Sequence, residues 1–101
     1  MTTAIFVLGE ALMDCISQSD GTLHPFQGGS PYNLARAAAL QGVPTHFINP
    51  FSTDAFGQGL KATLTRDGVN TILADTQLPT SLAVVMVLKG YRFDVLDSSD
   101  V

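Results

Sequence analysis

Residues 28–35, with the sequence GGSPYNLA, constrain the fold of this chain most, because they join a flexible turn directly to a helix start. Adjacent glycines reach backbone conformations closed to other residues and let a ligand approach the main chain. Ser30 is a suitable N-cap and Pro31 suits the first helical position, which predicts a helix over residues 31–41. Asn33 then lies near the positive end of that helix. The pattern fits a site for a polar ligand with several hydroxyls, and it also fits a tight loop before a well-capped helix.

Apolar runs and helix signals alternate along the first part of the chain. The run AIFVL at residues 4–8 predicts a short strand buried on both faces, as in a parallel sheet. Residues 45–49 predict another strand, and Asp54 is the predicted cap of a second helix that ends near Gly68. The apolar positions expected to face the core at helical spacing are Leu34, Ala35, Ala38, Ala39, Phe56, Leu60 and Leu64. Alternation of strands and helices predicts a doubly wound α/β fold.

Shorter extended segments flank this pattern. Residues 13–17 and 23–26 predict two short strands joined by a turn, and residues 71–74 predict a further one. Residues 81–88 carry the strongest strand signal, and a turn at Lys89-Gly90 predicts a hairpin with residues 91–96.

Composition excludes several classes of function. The net charge is −4 and the five basic residues are scattered, which argues against a nucleic-acid-binding surface. No apolar run approaches the length of a membrane span, and the start of the chain lacks the basic region of a signal peptide. A single cysteine, Cys15, and two isolated histidines predict no disulfide and no metal site. We therefore expect a cytoplasmic protein that binds neither nucleic acid nor a membrane.

Four ordered motifs carry a resemblance to a known family. Gly9-Glu10-Ala11-Leu12-Met13-Asp14 precedes the diglycine and its asparagine, Gly42 follows the helix, and Asp54-Ala55-Phe56-Gly57 follows the next strand. This set resembles the ribokinase/PfkB family of carbohydrate kinases, from about residue 5 to residue 88. The resemblance implies a ribokinase-like fold, a Rossmann-like parallel sheet with helices on both faces plus a small β-sheet lid, of which this chain is the amino-terminal part.

The resemblance also implies the substrate-binding residues. In the family, the aspartate of the opening motif binds the sugar, which implies that role for Asp14, and the second motif implies it for Gly28, Gly29 and Asn33. The implied core comprises residues of about 4–12 and 31–70, and the implied lid strands lie at about 13–27 and 71–96, all within one domain over residues 1–101. Thr80 and Ser81 are expected to approach the ligand where the chain returns from the lid.

The part of the family pattern that carries catalysis is absent from this sequence. The family binds ATP and Mg²⁺ through a later glycine-rich motif whose aspartate is the catalytic base, and no Gly-x-Gly-Asp or Walker A sequence occurs here. The opening motif is most similar to fructokinases and 2-keto-3-deoxygluconate kinases. The expected activity is phosphorylation of a fructose-like sugar or a keto-deoxy sugar acid by the full-length protein, with the 101-residue chain alone inactive. The alternative is a non-catalytic α/β module that binds a ligand or forms a homodimer through its β-sheet.

Overall fold

The computed structural model describes residues 3–86. Along that part of the chain the elements are β1 (Ile5–Leu8), β2 (Leu12–Ser17), β3 (Leu23–Gly28), α1 (Ser30–Leu40), β4 (Thr45–Ile48), α2 (Ala55–Arg66), β5 (Asn70–Thr71) and β6 (Ser81–Val85). The predicted hairpin strand at residues 91–96, and the end of the strand predicted at 81–88, lie outside the described residues.

The first sheet is parallel and has the strand order β1-β4-β5. Val7 in β1 is opposite Phe47 in β4, and Phe47 is in turn opposite Thr71 in β5. The helices return the chain so that successive core strands run in the same direction, which is the βαβ arrangement predicted from the alternating pattern. The α/β class is therefore confirmed.

The hydrophobic core lies between this sheet and the two helices. Val7 and Phe47 from the sheet meet Tyr32 from α1 and Leu60 and Leu64 from α2, and all five side chains are buried. Burial of each large apolar side chain contributes roughly 1.5–3 kcal/mol to folding. The Tyr32 hydroxyl donates a hydrogen bond to the Leu60 carbonyl at 2.9 Å, so the two helices are joined by a polar contact as well.

One face of β1 is open, contrary to the expectation of a strand buried on both sides. Phe6 is 60% exposed and Leu8 is 71% exposed, whereas Val7 between them is buried. The reason is that both helices pack on the face of the sheet that carries Val7 and Phe47, and within residues 3–86 no helix covers the opposite face. Leu34 was expected in the core but is exposed, and it lines an open apolar groove beside β1 together with Pro31.

The start of α1 differs from the predicted cap. Gly29 is the N-cap residue, with φ of 107°, and the helix begins at Ser30 without a side-chain cap. Only glycine adopts this left-handed backbone readily, so the turn is made one residue earlier than the Ser30 signal indicated. The end follows the prediction: the Gly42 amide donates to the Ala39 carbonyl at 2.9 Å, and Gly42 has a positive φ.

Helix α2 begins as predicted. The Asp54 carboxylate accepts a hydrogen bond from the Gly57 amide at 2.7 Å, which is the expected cap. Phe56 was expected in the core but is exposed, because the buried side of this helix begins at Gly57 and continues through Leu60 and Leu64. A Cβ atom at Gly57 would lie 2.3 Å from the Ser52 carbonyl oxygen, so this close approach requires glycine.

The second sheet has the order β3-β2-β6, with β2 antiparallel to β3 and parallel to β6. The segment 71–74, which was expected to contribute a lid strand, is not part of it. Thr71 instead pairs with Phe47 in the first sheet, and residues 72–74 form no strand. The physical reason is that the chain leaving α2 buries Val69 in the core, which brings the next residues beside β4.

Candidate functional site

The Asp14 carboxylate lies directly against Gly28. Asp14 is in the middle of β2, it is partly exposed, and it is opposite Phe26 in the antiparallel pair with β3. A Cβ atom built on Gly28 would lie 2.3 Å from Asp14 Oδ2. Any other residue at position 28 would therefore compete with the carboxylate for the same space. Among residues 3–86 this carboxylate has no hydrogen-bond or ion-pair partner, which leaves its oxygens available to a ligand.

The second glycine, Gly29, joins Gly28 to the start of α1, which carries Asn33. A Cβ atom on Gly29 would come within 2.9 Å of the Glu10 carbonyl oxygen, so the diglycine turn packs tightly against the connection between β1 and β2. The backbone amide of Asn33 donates to the Gly29 carbonyl at 2.9 Å, which closes the first turn of α1. The Asn33 side chain is exposed. The structure thus places Asp14 against Gly28, and it places Asn33 in the first turn of α1, after Gly29.

A cavity of about 200 Å³ lies near this turn, where β1 and β4 end. In open α/β sheets ligands collect at the carboxyl ends of the strands. None of the four predicted substrate-binding residues lines this cavity. Its walls are formed by Glu10, Ala11, Asn49, Pro50, Phe51, Ser52, Gly57, Leu60, Thr76, Leu78, Pro79, Thr80 and Ser81.

Thr80 and Ser81 were expected near the ligand, and both line the cavity. Two further lining residues, Glu10 and Asn49, had no role predicted from the sequence. Their positions carried a usable signal, because each lies within two residues of the end of a core strand and so belongs to the ligand-binding edge of a parallel sheet. The Glu10 carboxylate accepts a hydrogen bond from the Ser81 hydroxyl at 3.1 Å.

Asp54 contacts the same border of the cavity. Hydrogen bonds from the Thr80 hydroxyl, the Thr80 amide and the Gly57 amide lower the pKa of Asp54 to about 2. The carboxylate is therefore charged at every physiological pH, and it joins the start of α2 to the segment that leads into β6.

The basic side chains of the described part are already paired. Arg36 contacts Asp67, Lys61 contacts Asp75 at 2.9 Å, and Arg66 also approaches Asp67. The Arg36 guanidinium lowers the pKa of the Asp67 carboxyl group. Between residues 3 and 86 there is no group of three His, Cys, Asp or Glu side chains arranged to hold a metal ion. No helix in that range has the length and apolar character needed to cross a bilayer.

Sequence comparison relates the chain to known enzymes. Residues 2–101 match the family described as "pfkB family carbohydrate kinase". The chain is 33% identical to a fructokinase of Escherichia coli over 106 aligned positions, which cover 99% of this chain and 34% of that protein. It is 34% identical to a fructokinase of Salmonella typhimurium over 87 positions, covering 84% of this chain and 28% of that protein. The chain therefore spans about a third of the length of the curated relatives it matches.

Structural comparison gives a consistent result. The crystal structure of a fructokinase with bound ATP from Xylella fastidiosa superposes with a TM-score of 0.77 at 29% identity, covering 86% of this chain and 30% of that one. A sugar kinase from Pyrococcus horikoshii superposes with a TM-score of 0.74 at 28% identity, covering 88% of this chain and 32% of that one.

Proposed function

We propose that this chain, which belongs to the pfkB family of carbohydrate kinases, is the sugar-recognising part of an ATP-dependent sugar kinase. The family and the ribokinase-like α/β fold predicted from the sequence are both confirmed by the family match and by the similar crystal structures. The activity of the whole protein, and the sugar on which it acts, are the proposal.

The observation that carries the proposal is the Asp14 carboxylate held against Gly28, with the exposed Asn33 side chain on the adjoining turn. A carboxylate accepts hydrogen bonds from two neighbouring hydroxyls, and a carboxamide both donates and accepts. In the proposed complex these two side chains orient the sugar, and Gly28 and Gly29 allow it to approach the backbone closely.

A neutral, fructose-like sugar fits this environment better than a keto-deoxy sugar acid. Asp14 and Glu10 are both acidic, and the three basic side chains within residues 3–86 are engaged by other carboxylates. The carboxylate of a sugar acid would be repelled by its two acidic neighbours, because like charges a few ångströms apart interact unfavourably. The relatives named fructokinase support the same choice.

ATP and Mg²⁺ are proposed to bind outside this chain, because the residues present do not fit a nucleotide site. Transfer of a phosphoryl group requires donors and cations that surround the phosphates. The described basic residues are paired with carboxylates, and the sequence lacks a Gly-x-Gly-Asp motif. The catalytic base is likewise assigned to sequence beyond this chain. We therefore expect the 101-residue chain alone to have no kinase activity, and sugar-dependent ADP formation by it would contradict this.

The second sheet is proposed to act as a lid over the sugar. Asp14 and Gly28 belong to its strands β2 and β3, so movement of this sheet would carry the Asp14 carboxylate toward or away from a bound sugar. Closure would exclude water and limit wasteful hydrolysis of ATP. We further infer a homodimer through this sheet, since Leu23, Leu82 and Val84 leave an apolar surface exposed on one of its faces. Sedimentation of the complete protein tests this: Leu82→Asp should convert a dimer to a monomer, and a wild-type monomer would refute it.

The sugar-binding proposal is tested by titration calorimetry and an ADP-release assay on the protein encoded by the complete gene. Asp14→Ala and Asn33→Ala should each weaken fructose binding by about tenfold or more, because each removes hydrogen bonds to the ligand. The matched controls Asp20→Ala and Asn70→Ala change exposed residues away from the diglycine and should leave affinity unchanged. Sugar binding without any phosphorylation would favour the non-catalytic module, and unchanged affinity in the Asp14 variant would remove that residue from the site.

A further inference from the structure

The Asp54 carboxylate makes two kinds of contact at once. Oδ1 accepts from the Gly57 amide at 2.7 Å, which caps α2. The same oxygen accepts from the Thr80 hydroxyl at 2.6 Å, and Oδ2 accepts from the Thr80 amide at 2.9 Å. A helix cap needs only one of these bonds. The other two hold a residue that is 26 positions away, at the point where the chain crosses to the second sheet.

The residue after Thr80 begins β6, so this contact fixes where that strand starts. Ser81 pairs with Leu12 in β2, and the parallel register then places Ala83 opposite Asp14. The Ser81 hydroxyl also donates a hydrogen bond to Glu10, which lies on the segment that joins β1 of the first sheet to β2 of the second. A displacement of Thr80 would therefore be passed to β6 and, through the strand pairing, to the strand that carries Asp14.

We propose that Asp54 is a positioning residue for the sugar site: by holding Thr80 it fixes β6, and through β6 it fixes β2 and the Asp14 carboxylate. This inference rests on the proposed sugar-binding function. Asp54 is not assigned any contact with the sugar. Hydrogen bonds to an ionised acceptor are stronger than neutral ones, so a charged carboxylate is well suited to hold this crossing. The low pKa of Asp54 agrees with that role.

The two roles of Asp54 are separable by substitution. In Asp54→Asn, the amide oxygen still accepts from Gly57 and so retains the cap, but the NH₂ group cannot accept from the Thr80 amide. Thr80→Val removes only the hydroxyl contact and leaves Asp54 and the cap intact. Thr80→Ser keeps the hydroxyl and serves as the matched conservative variant.

The experiment compares these three variants in the protein encoded by the complete gene, with two measurements. Hydrogen exchange is followed for amides of β6 and, as an internal reference, of α1. The KM values for fructose and for ATP are measured separately. Asp54→Asn should speed exchange in β6 about tenfold and raise the fructose KM about five- to tenfold, with the ATP KM unchanged. Thr80→Val should show a smaller shift of the same kind, and Thr80→Ser should match the wild type.

The exchange rates and the KM values test separate parts of the proposal. Unchanged β6 exchange in Asp54→Asn would refute the positioning role, whether or not the protein is a kinase. Faster β6 exchange with an unchanged fructose KM would show that the contact holds the strand without serving the sugar site, which also overturns the proposal. If the protein phosphorylates none of the sugars tried, the proposed function is refuted, and with it the role of Asp54 in the sugar site. The exchange rates in β6 would then test only whether Asp54 holds that strand in place.

Discussion

Replacing Gly28 with alanine should damage the sugar site while leaving the fold nearly intact. The added Cβ atom would lie 2.3 Å from Asp14 Oδ2, whereas ordinary contact begins at 3.4 Å. The carboxylate must therefore move by about 1 Å, the difference between those two distances. Gly28 does not have a positive φ, so its backbone accepts alanine without strain. The only close neighbour is the end of a partly exposed side chain, which can rotate away.

The size of the effect follows from the displaced carboxylate. Hydrogen bonds to a charged group contribute about 1.5–3 kcal/mol each. Since about 1.4 kcal/mol corresponds to a tenfold change in affinity, loss of one such bond predicts a rise in sugar Kd of roughly 10- to 100-fold. The free energy of unfolding should change by less than about 1 kcal/mol, because the gain from removing a glycine opposes the cost of an altered rotamer.

Titration calorimetry of the complete protein with fructose measures this effect, and thermal denaturation measures stability beside it. Gly59→Ala is the matched control, since its added Cβ would meet only the Gln27 amide, at an ordinary distance of 3.6 Å. Gly28→Ala combined with Asp14→Ala should bind no more weakly than Asp14→Ala alone, because Gly28→Ala acts by displacing the carboxylate that Asp14→Ala removes. A Gly28→Ala protein with wild-type fructose affinity, or additive losses in the double variant, would refute the reasoning.

Three further predictions concern stability. Gly57→Ala should lower the free energy of unfolding by about 1–3 kcal/mol, because the added Cβ atom would overlap the Ser52 backbone. Chemical denaturation measures this change, and a decrease of less than about 0.5 kcal/mol would contradict the prediction. Tyr32→Phe should lower the free energy of unfolding by about 1 kcal/mol in the same assay, because the hydroxyl that donates to the Leu60 carbonyl is removed. A variant as stable as the wild type would show that this hydrogen bond contributes nothing to stability. The lowered pKa of Asp54 means that its contribution to stability is complete above about pH 4 and is lost as the pH falls through about 2. Acid unfolding, followed by circular dichroism, should therefore depend less steeply on pH in Asp54→Asn than in the wild type.

Much of the fold was predictable because strong local signals agreed with one another. The Asp54 cap and the Gly42 stop lie where their residue types indicated, and the strand-helix alternation gave the α/β class. Ser30 was misjudged because the left-handed backbone at Gly29 moves the helix start by one residue. The exposure of Phe6 and Leu34 could not be read from hydrophobicity, since it depends on which elements cover each face of the sheet.

The candidate site residues could be named from the sequence, but the contacts that hold them in place could not. Residue type and order pointed to Asp14, Gly28, Gly29 and Asn33; the structure places Asp14 against Gly28 and Asn33 in the helical turn after Gly29. The contact between Asp54 and Thr80 had no signal in the sequence, because it joins residues far apart whose types are common in caps and loops. Such a contact between distant residues depends on how the chain passes from the first sheet to the second, so it can be identified only from the structure.

A crystal structure of the protein encoded by the complete gene, grown with fructose, tests the central claim most directly. Both the Asp14 carboxylate and the Asn33 carboxamide should lie about 2.7–3.2 Å from hydroxyls of the same sugar molecule, beside the diglycine. A sugar bound only among the cavity residues near Glu10 and Asn49, out of reach of both side chains, would contradict the account.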